Sequence, residues 1–173
     1  MNRLKVGMVA LLLTAFLGSG VASAEVAVGV GYQGLYAGEF LNGASVRAWM
    51  DSKWAVEGDI FQANIDVGNT STDIWFLGGK ALYAPIIREN SQFYVGLSAG
   101  YGKLGASDVL DNDVDGWIVG PLFGAEYRFQ GLPNLGFNWE VGYNFASIDF
   151  GDGAPDVDLN GVTISLGAHY RLN

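Results

Sequence analysis

Apolar and polar residues alternate with a period of two along most of the chain. Between Ser91 and Gly102, one face carries Phe93, Val95, Leu97, Ala99 and Tyr101; the other carries Tyr94, Gly96, Ser98, Gly100 and Gly102. Gly161 to Leu172 repeats this, with Val162, Ile164, Leu166, Ala168, Tyr170 and Leu172 opposed to Thr163, Ser165, Gly167, His169 and Arg171. Phe137 to Phe145 does so again, setting Phe137, Trp139, Val141, Tyr143 and Phe145 against Asn138, Glu140, Gly142 and Asn144. Alternation of this kind marks strands with unlike faces. It predicts eight of them, over 25–35, 43–51, 53–65, 72–85, 91–104, 115–129, 135–149 and 159–172. Each run has about 10 residues or more, the length a tilted strand needs to cross a bilayer. After Val21 no stretch approaches 18 consecutive apolar residues, so a spanning helix is excluded there.

The connections alternate in character. Asp51-Ser52-Lys53, Pro85 to Asn90 and Gln130 to Asn134 are short, while Gly38 to Asn42, Asp66 to Thr72, Lys103 to Asp115 and Phe150 to Asn160 are longer or more polar. Short turns at one end and long polar loops at the other, with an even strand number and both termini on the short-turn side, is the pattern of a closed antiparallel transmembrane β-barrel. The first 24 residues stand apart. Arg3 and Lys5 precede an apolar run from Val6 to Leu17, and Ala22-Ser23-Ala24 closes the segment. This predicts a Sec signal peptide over 1–24, cleaved after Ala24, and one barrel domain over 25–173. Removing Arg3 and Lys5 moves the formal charge from -9 to -11. So acidic a chain is a poor partner for nucleic acid, whose phosphates need basic patches. With no cysteine, the fold must hold without disulfides.

In a membrane barrel the apolar face meets lipid and the polar face lines the lumen. The predicted lipid face carries Val56, Trp75, Leu77, Tyr83, Trp117, Phe123, Tyr127, Phe129 and Trp139. The predicted lumen carries a charge network of Arg47, Glu57, Asp59, Lys80, Glu126, Arg128, Glu140, His169 and Arg171. A turn centred on Ser52 sets Arg47 opposite Glu57, a cross-strand ion pair read from register alone. A soluble lipocalin-type barrel is the alternative; it would put the apolar face inside, around a ligand.

On this architecture the chain resembles the small eight-stranded outer-membrane barrels of the OmpA transmembrane-domain, OmpX and OmpW kind. The resemblance covers residues 25–173 and implies a bacterial outer-membrane location, lipid and lipopolysaccharide as neighbours, and a monomer. The closing stretch Gly167-Ala168-His169-Tyr170-Arg171-Leu172-Asn173 is similar to that family's last strand, which typically ends on an aromatic residue, where this chain has Leu172 and Asn173. Pro121 is a second departure. Every strand of a closed barrel is central and Pro cannot donate to a ladder, so a bulge is expected beside it.

Catalytic chemistry is thinly represented. His169 is the single histidine, and Ser165 lies four residues away on the same strand face, about 13 Å along the strand and out of reach. No other serine is forced against His169 by register, which leaves a lipid A-modifying enzyme as the least favoured reading. Two loops hold acids at the spacing of the first half of a calcium loop: Asp111, Asp113 and Asp115 before Gly116, and Asp156, Asp158 and Asn160 before Gly161. Position 12 would be Leu122 or Gly167 instead of Glu, so at most weak divalent-cation binding is expected, bridging to lipopolysaccharide phosphates. The plainer reading is a hydrated acidic surface. No other cofactor is expected.

Two functions compete: a non-enzymatic structural or surface-interaction protein of the cell envelope, and a small channel gated by exchange of partners among the lumen charges. Eight strands enclose a lumen just wide enough for side chains to fill, which favours the first.

Overall fold

The computed structural model describes residues 26–36, 40–67, 70–104, 114–150 and 155–172. Segment 1–24, with its expected signal, lies outside the described residues. The alternating stretches form eight strands: β1 (Ala27–Tyr36), β2 (Phe40–Trp49), β3 (Trp54–Val67), β4 (Thr70–Ile87), β5 (Ser91–Leu104), β6 (Val114–Phe129), β7 (Leu132–Asp149) and β8 (Val157–Arg171). Each pairs antiparallel with the next, and β1 pairs with β8 from Gly29↔Arg171 to Tyr36↔Ile164, closing the sheet into a barrel. Closure removes the open edges that hydrocarbon would leave without hydrogen bonds.

The short turns set the register. At β2–β3 the Met50 N–H donates to the Trp54 carbonyl at 2.9 Å. The Asp51 carboxylate accepts the N–H groups of Lys53 and Trp54, each at 2.6 Å, in an Asx turn. Those bonds, Trp54 first and then Lys53, hold the Asp51 carboxyl below its ordinary range. The turn centres on Ser52, and Arg47 faces Glu57 as expected. At β6–β7 the hairpin is tighter than the sequence indicated: Phe129 pairs with Leu132, leaving only Gln130 and Gly131 to turn.

Pro121 brings no bulge. The β6–β7 register is the same on either side of it, Val119↔Phe145 and Leu122↔Gly142, and only the rungs at Gly120 and Pro121 drop out. Pro121 still has a ladder partner in Leu97 of β5, so the lost donor opens the β7 side without adding a residue. An extra residue sits instead in β4, between Tyr83 and Ile86, where Pro85 lies beside a short turn and the strand can bend, and a second register shift falls between Arg128 and Phe129.

The outer wall is apolar. Val46, Leu97, Phe123, Leu166 and Val162 are all exposed, Leu97 to 62%. Continuous apolar surface on that scale is unsuited to water. Aromatic rings gather near both ends of the wall, as interfacial girdles do. At the short-turn end Tyr127 and Phe129 stack edge-on at 5.1 Å, and Phe129 meets Phe137 at 5.8 Å. At the loop end three outward tyrosines donate to the neighbouring strand: Tyr32 to Asn42 at 2.6 Å, Tyr143 to Asn160 at 2.7 Å, and Tyr101 to Asp115. The wet tip of each ring thus has a partner while its body faces outward.

Two outcomes follow. Leu97→Arg should lower the unfolding free energy in lipid vesicles by about 2–4 kcal/mol in a urea titration; a change below about 0.5 kcal/mol would mean that this face does not meet hydrocarbon. For Asp51, a lowered folded pKa means its stabilisation is complete above the ordinary value of 3.8 and is lost as pH falls through the lower folded value. The urea midpoint of Asp51→Ala should therefore trail the parent at neutral pH, with the gap closing in strong acid. A gap unchanged at pH 2 would refute that account of the turn.

Candidate functional site

Side chains from β3, β5, β6 and β7 converge on Arg47 of β2, which is 1% exposed. Its Nε donates to Glu57 Oε2, its Nη1 to Glu126 Oε2 at 3.1 Å, and its Nη2 to Glu140 Oε1 at 2.7 Å. One guanidinium on β2 thereby ties together carboxylates from β3, β6 and β7, a use of its planar fork of donors that lysine could not match. The Tyr94 ring from β5 lies 5.1 Å from the Arg47 guanidinium carbon, and its hydroxyl donates to Glu140 Oε1 at 2.9 Å.

Lys80 is the second cation of the cluster. Its Nζ meets Glu57 Oε1 at 2.6 Å, Glu140 Oε2 at 2.7 Å and Asp59 Oδ2 at 3.3 Å. Arg47 and Lys80 thus share both Glu57 and Glu140. Ser165 adds a hydroxyl to Glu140 Oε2 at 3.0 Å. Toward the short-turn mouth, Arg128 places Nε and Nη2 on Glu126 Oε1 at 2.9 and 2.8 Å, and Arg171 stands 3.9 Å from the same oxygen. Of the nine residues expected in the lumen, the structure joins seven in the buried interior and sets Arg128 and Arg171 at its mouth.

His169 has company that the sequence did not reveal. Ser45 Oγ lies 2.5 Å from His169 Nε2, and His169 Nδ1 lies 3.1 Å from Asn138 Oδ1. Since the amide oxygen only accepts, Nδ1 carries the proton, and in the neutral ring Nε2 accepts from Ser45. Ser45 and His169 sit on strands that do not pair. Both face Gly31 of β1, which has no side chain to part them. The arrangement has the order of a nucleophile, base and orienting group, but Ser45, His169 and Asn138 are all buried. A lumen cavity of about 50 Å³ lies elsewhere, lined by Leu35, Phe61, Phe76, Ile118, Asp59 and Lys80 among others, with neither Ser45 nor His169 in its wall. The trio is buried in the lumen, outside the wall of that cavity.

Tyr94, Gln33, Ser45 and Ser165 were absent from the expected network. Period-two alternation did place Tyr94 and Ser165 on the inner face; as uncharged residues they gave no further signal. Of the calcium-type positions, Asp111 and Asp113 lie outside the described residues. Asp158 and Asn160 belong to extended β8 instead of a curled loop, and Asn160 and Asp115 already accept tyrosine hydroxyls. Among the described residues, no group of three or more His, Asp or Glu is placed to hold a metal ion.

Comparisons with known proteins agree with this geometry. No family model matches the chain, and no curated protein matches it in sequence. Solved structures do. Outer membrane protein H (OprH) of Pseudomonas aeruginosa superposes with a TM-score of 0.57 at 15% identity, over 84% of this chain and 99% of that one. Its fold is that of the small outer-membrane barrels. The N-terminal β-barrel domain of Pseudomonas aeruginosa OprF gives 0.56 at 11% identity, over 84% and 97% of the two chains. A major outer membrane protein of Thermus thermophilus gives 0.52 at 15%, over 86% and 100%. At such identities the likeness is one of fold, and the lumen cluster is read from this barrel's own residues.

Removing Arg47 leaves three buried carboxylates with too few cations. Breaking a buried ion pair in this way costs about 3–5 kcal/mol. Arg47→Ala should lose that much in urea unfolding, against about 0.5 kcal/mol or less for Lys53→Ala in an exposed turn. Equal losses would show that the cluster contributes nothing special.

Proposed function

We propose that the chain is an exported outer-membrane barrel, cleaved near Ala24, with a non-enzymatic structural or surface-interaction role in the cell envelope. The observation that carries this reading is the lumen cluster: Arg47, Lys80, Glu57, Glu126, Glu140 and Tyr94 are packed across the interior of the barrel, with Arg47 and Tyr94 essentially inaccessible to water. A lumen filled in this way serves as a polar core. The surface left for function is then the loop end, where the connections are acidic. Lipopolysaccharide is the natural neighbour there, and any divalent cation at Asp111, Asp113, Asp115, Asp156, Asp158 or Asn160 would act as a bridge to its phosphates. The apolar outer wall and the likeness in fold to outer-membrane proteins support the location.

A second reading is a gated channel, favoured by one feature: Glu57 and Glu140 are each bound by both Arg47 and Lys80, so partners could exchange. Single-channel recording in planar bilayers separates the two, with Glu57→Ala and Lys80→Ala run beside the parent and folding checked by heat-modifiable gel migration. The sealed lumen should give a silent bilayer. Reproducible steps in the parent that change in the variants would overturn the first reading and make the cluster a gate.

A further inference from the structure

The short-turn mouth of the lumen holds a second constellation that the charge cluster does not use. A pocket of about 370 Å³ opens there, and its wall includes Trp49, Gln92, Arg128, Arg171, Asp51 and Ile87. Trp49 and Gln92 are both more than nine-tenths buried, and their Nε1 and Nε2 atoms have no hydrogen-bond partner among the described residues. Buried N–H groups are almost always satisfied, so two orphans on residues of one pocket wall point to an acceptor held there, which each nitrogen, now without exposed surface, meets by a turn of its side chain. Beside them stand two guanidiniums with spare capacity. Arg128 has Nε and Nη2 on Glu126 and keeps Nη1, while Arg171 is 3.9 Å from Glu126, beyond hydrogen-bond range.

Two carboxylates stand nearby, and both already have partners. Glu126 is shared with Arg47, and Asp51 turns its oxygen onto the N–H groups of Lys53 and Trp54. The short-turn end also carries Lys53 and Arg88, against Glu89, in an otherwise strongly acidic chain. The donors come from four different strands, β2, β5, β6 and β8. A tetrahedral phosphate presents oxygens in several directions to such a ring, whereas a planar carboxylate does not, and arginine forks suit phosphate geometry.

We propose that the short-turn mouth is a phosphate-binding site in which Arg128 and Arg171 supply the charge and the Trp49 indole and Gln92 amide supply neutral donors. The phosphate is either free in solution or the headgroup of a lipid at the barrel rim.

The test is two-dimensional nitrogen–proton NMR of the refolded protein in maltoside micelles, which contain no phosphate. The Trp49 indole resonance is assigned by its loss in Trp49→Phe, and the Gln92 amide by its loss in Gln92→Leu. Inorganic phosphate should shift both resonances saturably, and Arg171→Gln, which lacks a close pair to lose, should weaken binding at least tenfold. Transfer to bicelles containing an anionic phospholipid, without added phosphate, identifies the source: bound-position shifts there mean a headgroup, and shifts only with inorganic phosphate mean the free ion. Still resonances in both arms would overturn the proposal. So would shifts reproduced by chloride at equal ionic strength, by acetate at lower concentration, or undiminished in Arg171→Gln.

Discussion

Burying one guanidinium in a narrow barrel constrains nearly everything around it. Arg47 cannot be left uncompensated in the interior, and its geometry needs acceptors on several sides. Glu57, Glu126 and Glu140 provide them from three strands, but three carboxylates around one cation are again unbalanced, and Lys80 enters between Glu57 and Glu140, where it also meets Asp59, while Arg128 joins Glu126. Tyr94 then covers the guanidinium face. Each partner is on a different strand, so the set can form only in one register of the closed sheet. A slip of one residue would turn a charged side chain to the lipid face.

Room for these large groups comes from glycine. Eight strands enclose little space, and bulky lumen residues lie over positions without side chains. The Phe76 ring rests on Gly100, where an added Cβ would stand 2.2 Å from the ring, and Glu126 rests on Gly136, where it would stand 2.9 Å from the carboxylate. Gly124 supports Tyr94 and Glu140 together, at 3.0 and 2.9 Å from such a Cβ. At these three positions a large inward residue requires the neighbouring strand to present nothing.

This explains how far the sequence could be read. Strand number, sidedness and the Arg47–Glu57 pair follow from period-two alternation and one turn centre, because neighbouring strands obey a fixed register. Ser45 and His169 meet across an intervening strand over Gly31, and no pairwise register carries that information. Pro121 needs no extra residue for its missing donor, because the ladder tolerates an open rung; the register shifts lie near short turns instead, at Pro85 and at Arg128–Phe129. The orphan donors of Trp49 and Gln92 were invisible for a different reason, since a missing partner is a property of the packed lumen and not of any residue type.

The surroundings of the charge cluster bear on whether it could move. On one side lie Trp49, Ala55, Leu82, Ala84 and Leu122, packed with Tyr94 into a buried apolar cluster. The small cavity on another side is walled by Leu35, Phe61, Phe76 and Ile118 as well as by polar groups. The polar lumen expected of such a barrel thus carries apolar groups among its polar ones. Partner exchange by Lys80 would require Glu57 or Glu140 to lose a counter-ion in a buried interior, where that loss is larger than in an open pore. An aqueous channel would surround its gating charges with water in at least one state. Here Arg47, Glu57 and Glu140 are buried among one another, Lys80 and Tyr94, which favours a cluster that locks the barrel over one that opens it.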